Sequence, residues 1–193
     1  MRSLTSLVAV MCAAMFLTTA EAGVFADLGP FQSASKVRKR IDETTQQTLD
    51  RLFSQAPESR GLYDRSVGYA AFDVTKVSVG VTGGGGTGVA VDKATGQRTY
   101  MHMGTGGLNL GLGGQVLQLI FMFEDADSYR KFVDVGWDAS ASANAVAGRA
   151  GANAEASFQN GLAVYTLTTA GLMLQADLSG TKYWKSKKLN PIQ

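Results

Sequence analysis

Thiols are almost missing from this sequence: its single cysteine, Cys12, stands inside a short apolar run near the start. Past that run no disulfide, thiolate metal site or cysteine nucleophile is possible. A chain of 193 residues can bury enough surface to hold itself without such staples. Histidine is as scarce. His102 stands between Met101 and Met103 with no ligands clustered nearby and no nucleophile elbow anywhere, so it reads as an ordinary strand residue and no catalytic activity is expected. Excess charge is also absent. A net +2 is too mild to announce a nucleic-acid binder. After the first residues, no stretch is long and apolar enough to span a membrane as a helix.

What the start does contain is a graded signal. Arg2 is followed by an apolar run over residues 7–17 and then by Ala20-Glu21-Ala22, the small-x-small pattern that signal peptidase requires. The run is short for a permanent anchor, and Val10-Met11 before Cys12 do not suit lipidation. We therefore expect residues 1–22 to be a cleaved signal peptide and the protein to be periplasmic or otherwise exported. Cleavage after Ala22 removes one base and one acid and leaves the net charge unchanged.

Glycine is plentiful: all 23 lie beyond residue 22, nearly twice the usual frequency of about 7%. Residues 23–60 read as a lead-in followed by an amphipathic helix over 36–53. Val37, Ile41, Thr45, Thr48, Leu49, Leu52 and Phe53 form one stripe, and Pro57 lies just beyond. From residue 61 to 193 the period becomes two. Short strands are expected over 68–74, 77–82, 87–92 and 98–103, and around Leu108, Leu110 and Leu112. Further strands are expected over 116–123, 137–147, 161–169 and 171–179. Residues 93–96 form a hairpin turn with Gly96 placed for positive φ. Residues 116–123 are apolar on both faces and should lie centrally, and 124–133 fit one short helix. The predicted fold class is α+β: a small antiparallel barrel-like core of eight or nine short strands, with the long helix in front and the short one inserted.

The order of motifs from Ser66 onward resembles the SYLF domain. Ser66-Val67-Gly68-Tyr69-Ala70-Ala71-Phe72 with Lys76 is similar to that family's opening. The glycine block Gly83-Gly84-Gly85-Gly86-Thr87-Gly88-Val89 and then Leu110-Gly111-Leu112-Gly113-Gly114-Gln115 follow in the family's order. Phe132, Trp137-Asp138-Ala139-Ser140-Ala141-Ser142, Ala163-Val164-Tyr165 and Gly171-Leu172 complete it. The stretch around Leu178-Ser179-Gly180-Thr181 departs from the family's acidic ending. The resemblance implies binding of lipid head groups, as in eukaryotic relatives that engage phosphoinositides; some fungal relatives bind actin. An exported bacterial protein meets neither, so anionic phospholipid or another envelope component is the expected partner.

Glycines 83, 85 and 88 match a GxGxxG pattern, but the strand-like Val89-Ala90-Val91-Asp92 follows where a dinucleotide site needs a helix. Asp125 and Asp127 beside Glu124 resemble an acidic helix start more than a calcium loop. No cofactor and no metal is expected. Two basic groups remain. One is Lys36, Arg38, Lys39 and Arg40, at the helix end where the dipole disfavours cations. The other is Lys182, Lys185, Lys187 and Lys188, interleaved with Tyr183 and Trp184. Cations beside interfacial aromatics suit an anionic membrane surface; equally, each group can be a solvated face with Trp184 packed inward. The function expected is thus a non-catalytic exported module that meets anionic lipid or another envelope component peripherally. The alternative is a structural or assembly protein of the envelope that acts through a protein partner. An integral outer-membrane barrel fits the 36–53 helix poorly.

Overall fold

The computed structural model describes residues 33–138, 157–158, 160–168, 171–174 and 181–190. The expected signal peptide, the lead-in before residue 33, and most of the strand expected over 137–147 lie outside the described residues, as does the end of the one expected over 171–179.

The stripe foreseen on the first helix forms α1 (Ala34–Gln55), which buries Ile41, Thr45, Thr48, Leu49 and Leu52. Val37 and Phe53 pack at its margins. A second helix, α2 (Ser59–Arg65), follows directly and buries Leu62. Sequence reading missed it because seven residues, under two turns, with Gly61 inside are too few for a period to repeat.

Among the described residues, the remainder is one antiparallel sheet of six strands. β1 (Gly68–Asp92) and β2 (Arg98–Phe123) pair along nearly their whole length, interrupted by one register shift. After them come α3 (Ala126–Arg130), a π-helical turn (Lys131–Val135), β3 (Trp137–Asp138), β4 (Leu162–Thr168), β5 (Gly171–Leu174) and β6 (Thr181–Lys185). The outer edge of β2 is shared: β6 pairs with its first half and β4 with its second, while β3 extends β6 and β5 extends β4. The α+β class and the antiparallel sheet are as expected. The strand count is not: the segments expected as several short strands with glycine turns between them are two long strands. Among the described residues the sheet is open, since its end strands β3 and β5 do not pair with each other.

The correction has a physical cause. Among the described residues, only Gly96, Gly136 and Gly161 are glycines with positive φ. Gly96 turns the hairpin as expected, but the glycine block keeps an extended backbone and serves close approach instead. A Cβ on Gly84 would stand 2.6 Å from the Thr75 carbonyl oxygen; one on Gly86 would overlap that of Asp73, and one on Gly88 that of Ala71. Because these partners run in opposite order, β1 has folded back so that its two halves touch through bare backbone. The corner falls at a register shift between Val79 and Val81, whose partners on β2 are Leu112 and Leu108. At the open end, Lys93 N–H donates to the Val67 carbonyl at 3.0 Å.

Alternation along the strands divides the core in two. One face carries Phe72, Phe121 and Phe123, closed by Tyr129, Phe132 and Val133 from α3 and the π-turn and by Tyr183 from β6. The Tyr183 ring lies 4.9 Å from that of Phe72 and 5.2 Å from that of Phe121, both edge-on. The opposite face carries Tyr69, Val89, Tyr100, Ile120, Met122 and Tyr165 beneath α1. The end of β2, residues 117–123, is thus covered on both sides, as its two-faced apolar pattern predicts, with Gln118 half-buried; Val116 just before it is 50% exposed.

Candidate anionic-surface site

Two separate stretches of chain meet on the helix-covered face. Arg38, on the first turns of α1, donates from Nη1 to the carbonyl oxygen of Leu189 at 3.1 Å. The turn carrying Leu189 is itself held on β2. Ser186 N–H donates to the Tyr100 carbonyl, and Tyr100 N–H donates to the Asn190 side-chain oxygen. Asn190 Nδ2 returns bonds to the carbonyls of Tyr100 and Ser186. Leu189 is buried with the helix-side core, so Lys187 and Lys188 project from a fixed turn beside the start of α1.

The carboxylates near this face are engaged. Asp42 on α1 accepts from Arg98 at 2.7 Å and from the Tyr100 hydroxyl at 3.0 Å. Glu43 pairs with Lys39 at 3.7 Å; on the opposite face of the sheet, Asp134 of the π-turn pairs with Lys185 at 2.8 Å. Lys36, Lys39, Lys182, Lys185, Lys187 and Lys188 are all exposed, whereas Arg38 and Arg40 are half-buried. Arg40 lies within electrostatic reach of Asp73.

On β6 the alternation sends Thr181 and Tyr183 into the core and Lys182 and Trp184 outward. Tyr183 is therefore removed from the expected contact set. At 2% exposure it belongs to the aromatic core, where burial pushes its hydroxyl well above the ordinary tyrosine range. Trp184 is not packed inward: it is 47% exposed and lies over Gly104, with its ring 6.0 Å from that of His102. Burial holds the His102 imidazole below its ordinary pKa, so the ring is neutral at pH 7.

Among the described residues no three His, Cys, Asp or Glu side chains stand together as a metal cage. The GxGxxG match lies wholly within β1, with no helix start to receive a phosphate. Asp125 caps α3 by accepting from Ser128 N–H at 2.8 Å, as the acidic-start reading expects. Sequence reasoning missed the role of Asn190. Its one available signal is the Asn190-Pro191 dipeptide, a turn marker.

No family model matches the chain. It is similar to Beta cell expansion factor A of Aeromonas veronii, with 39% identity over 158 residues that make up 82% of this chain and 60% of the relative. The chain therefore spans less than two thirds of the length of the curated relative it matches.

Proposed function

We propose that this protein is an exported, non-catalytic SYLF-type module that binds anionic phospholipid at a membrane surface. The observation that carries the reading is the junction made by Arg38 and Leu189, which brings the basic start of α1 beside the turn that carries Lys187 and Lys188. Each cation near an anionic leaflet contributes about 1 kcal/mol, so several held on one face reach useful affinity together. Among the described residues no helix is long and apolar enough to cross a membrane. The apolar stripe of α1 is occupied by the sheet, which favours peripheral contact through charge. The doubled-back β1–β2 hairpin around an aromatic core supports the finer reading of a nearly closed barrel. The signal at residues 1–22 supports export to the periplasm or beyond. The relative's name refers to an effect on beta cells; for this chain, action on cells other than its own is a reading that the same lipid contact would serve.

The test is co-sedimentation of the exported protein with neutral and anionic liposomes across a salt series. Binding only to anionic liposomes, weakening as salt rises, is the expected result. Charge reversal at Lys187 and Lys188, or at Lys36 and Lys39, should weaken it by comparable amounts. Absence of binding at low salt overturns the lipid reading and leaves an envelope protein as the partner to seek.

A further inference from the structure

Trp184 is a half-exposed tryptophan on a strand whose neighbouring core positions are well filled, and none of the described core needs its ring. Its position follows from register. Trp184 pairs with His102 on β2, and Lys182 pairs with Gly104. Tyr100, His102 and Gly104 alternate onto one face of β2. That face is the one on which Tyr100 meets Asp42 of α1 and is bracketed by Ser186 and Asn190. The indole therefore stands on the same side of the sheet as α1, with exposed Lys182 on its own face, whereas Lys185 alternates to the opposite face and pairs with Asp134. Gly104 beneath it has no side chain; a Cβ there would come within 3.1 Å of the ring. The ring is seated on bare backbone with its remaining surface open.

We propose that Trp184 is the depth anchor of this face, entering the interfacial layer of an anionic bilayer while the surrounding lysines hold the head groups. This inference rests on the lipid reading above and adds an apolar, salt-insensitive component to it. An indole with a lysine beside it on one face suits the boundary of a bilayer, where one part of the ring is dry and the N–H stays wet. A phosphate in solution offers the lysines the same charge but gives the ring nothing to enter, so the bilayer is the occupant to which the arrangement commits.

The experiment uses the exported protein and its Trp184→Phe and Trp184→Ala variants with phosphatidylglycerol-containing vesicles, with and without brominated acyl chains. The emission difference between the native protein and W184F isolates Trp184 from Trp137. We expect that difference to shift to shorter wavelength on binding and to be quenched by the brominated lipid. W184A should bind about tenfold more weakly at every salt concentration, with an unchanged salt slope, and W184F should fall between. Lysine reversals should instead alter the slope. Thermal unfolding of W184A should match the native protein, because the indole fills no core position. Sedimentation with vesicles without any change in the Trp184 signal overturns the anchor and leaves the electrostatic reading standing. Absence of sedimentation overturns both.

Discussion

Arg38 and Leu189 lie 151 positions apart and are joined by a guanidinium–carbonyl hydrogen bond of 3.1 Å. The bond uses a charge from the basic helix start to fix a backbone turn, so one residue of the cationic group serves architecture. Replacing Arg38 by Ala should cost about 1 kcal/mol, and replacing Asn190 by Ala about 1–3 kcal/mol, since the latter strands the Tyr100 N–H. Both variants should also weaken liposome binding by loosening Lys187 and Lys188 from α1. Chemical denaturation and co-sedimentation of the same samples check the pair; a binding loss in Asn190→Ala, where no charge changes, is the diagnostic result.

The glycine block offers a paired contrast. A side chain at Gly83 meets nothing within 4 Å, whereas one at Gly86 overlaps the Asp73 carbonyl oxygen and crowds Val74. Gly86→Ala should destabilise by about 1–3 kcal/mol, because backbone rather than a flexible side chain must yield. Gly83→Ala should leave the unfolding midpoint nearly unchanged. Equal effects at the two sites would contradict the folded-back strand.

The docking of α1 rests on its apolar stripe. Leu52 is fully buried against the sheet, and Leu52→Ala should cost about 2–5 kcal/mol. Helix-detached protein, if the variant populates it, should show faster amide exchange in α1 than in β2.

Alkaline stability follows from two tyrosines under α1. Burial, with the neighbouring Tyr63 adding to it, pushes Tyr69 up to about 12, and burial with the Glu58 charge pushes Tyr165 up to about 12. In the unfolded chain both ionise near 10. Between about pH 10 and pH 12 the folded form holds protons that the unfolded form has released, so stability falls as pH rises through that window. Their contribution is fully present below pH 10. Unfolding midpoints measured from neutral pH to pH 12 should decline above pH 10, and less steeply in Tyr165→Phe.

Much of this was legible in the residues. The stripe from Ile41 to Leu52 has a full helical period, and the end of β2 is apolar at Leu117, Leu119, Phe121 and Phe123 on one face and at Ile120 and Met122 on the other, so both elements appear where expected. The long strands were not legible, because residues 83–88 are indistinguishable in sequence from a turn. Only the approach of Asp73 and Ala71 shows that the missing side chains make room for backbone. β6 was hidden by its charges: Lys182 and Lys185 mask an inward Thr181 and Tyr183. Of the candidate site, the two basic groups could be read directly. The meeting of the start of α1 with the Leu189 turn could not, since a backbone carbonyl is an acceptor that every residue possesses and no pattern marks the one chosen.

The continuous antiparallel ladder joining β1 to β2 also sets the order in which the protein can assemble. Pairing begins beside the turn, with Val91 opposite Arg98, and ends with Gly68 opposite Phe123. Each pair closes a loop only slightly longer than the one before, so the ladder can zip from the Gly96 end with little entropic penalty per step. The two halves of β1 can meet only after the zipper has passed the corner at Val79 and Val81. A defect in the turn should therefore slow folding, whereas a bulky residue in the glycine block should leave early zipping intact and hasten unfolding.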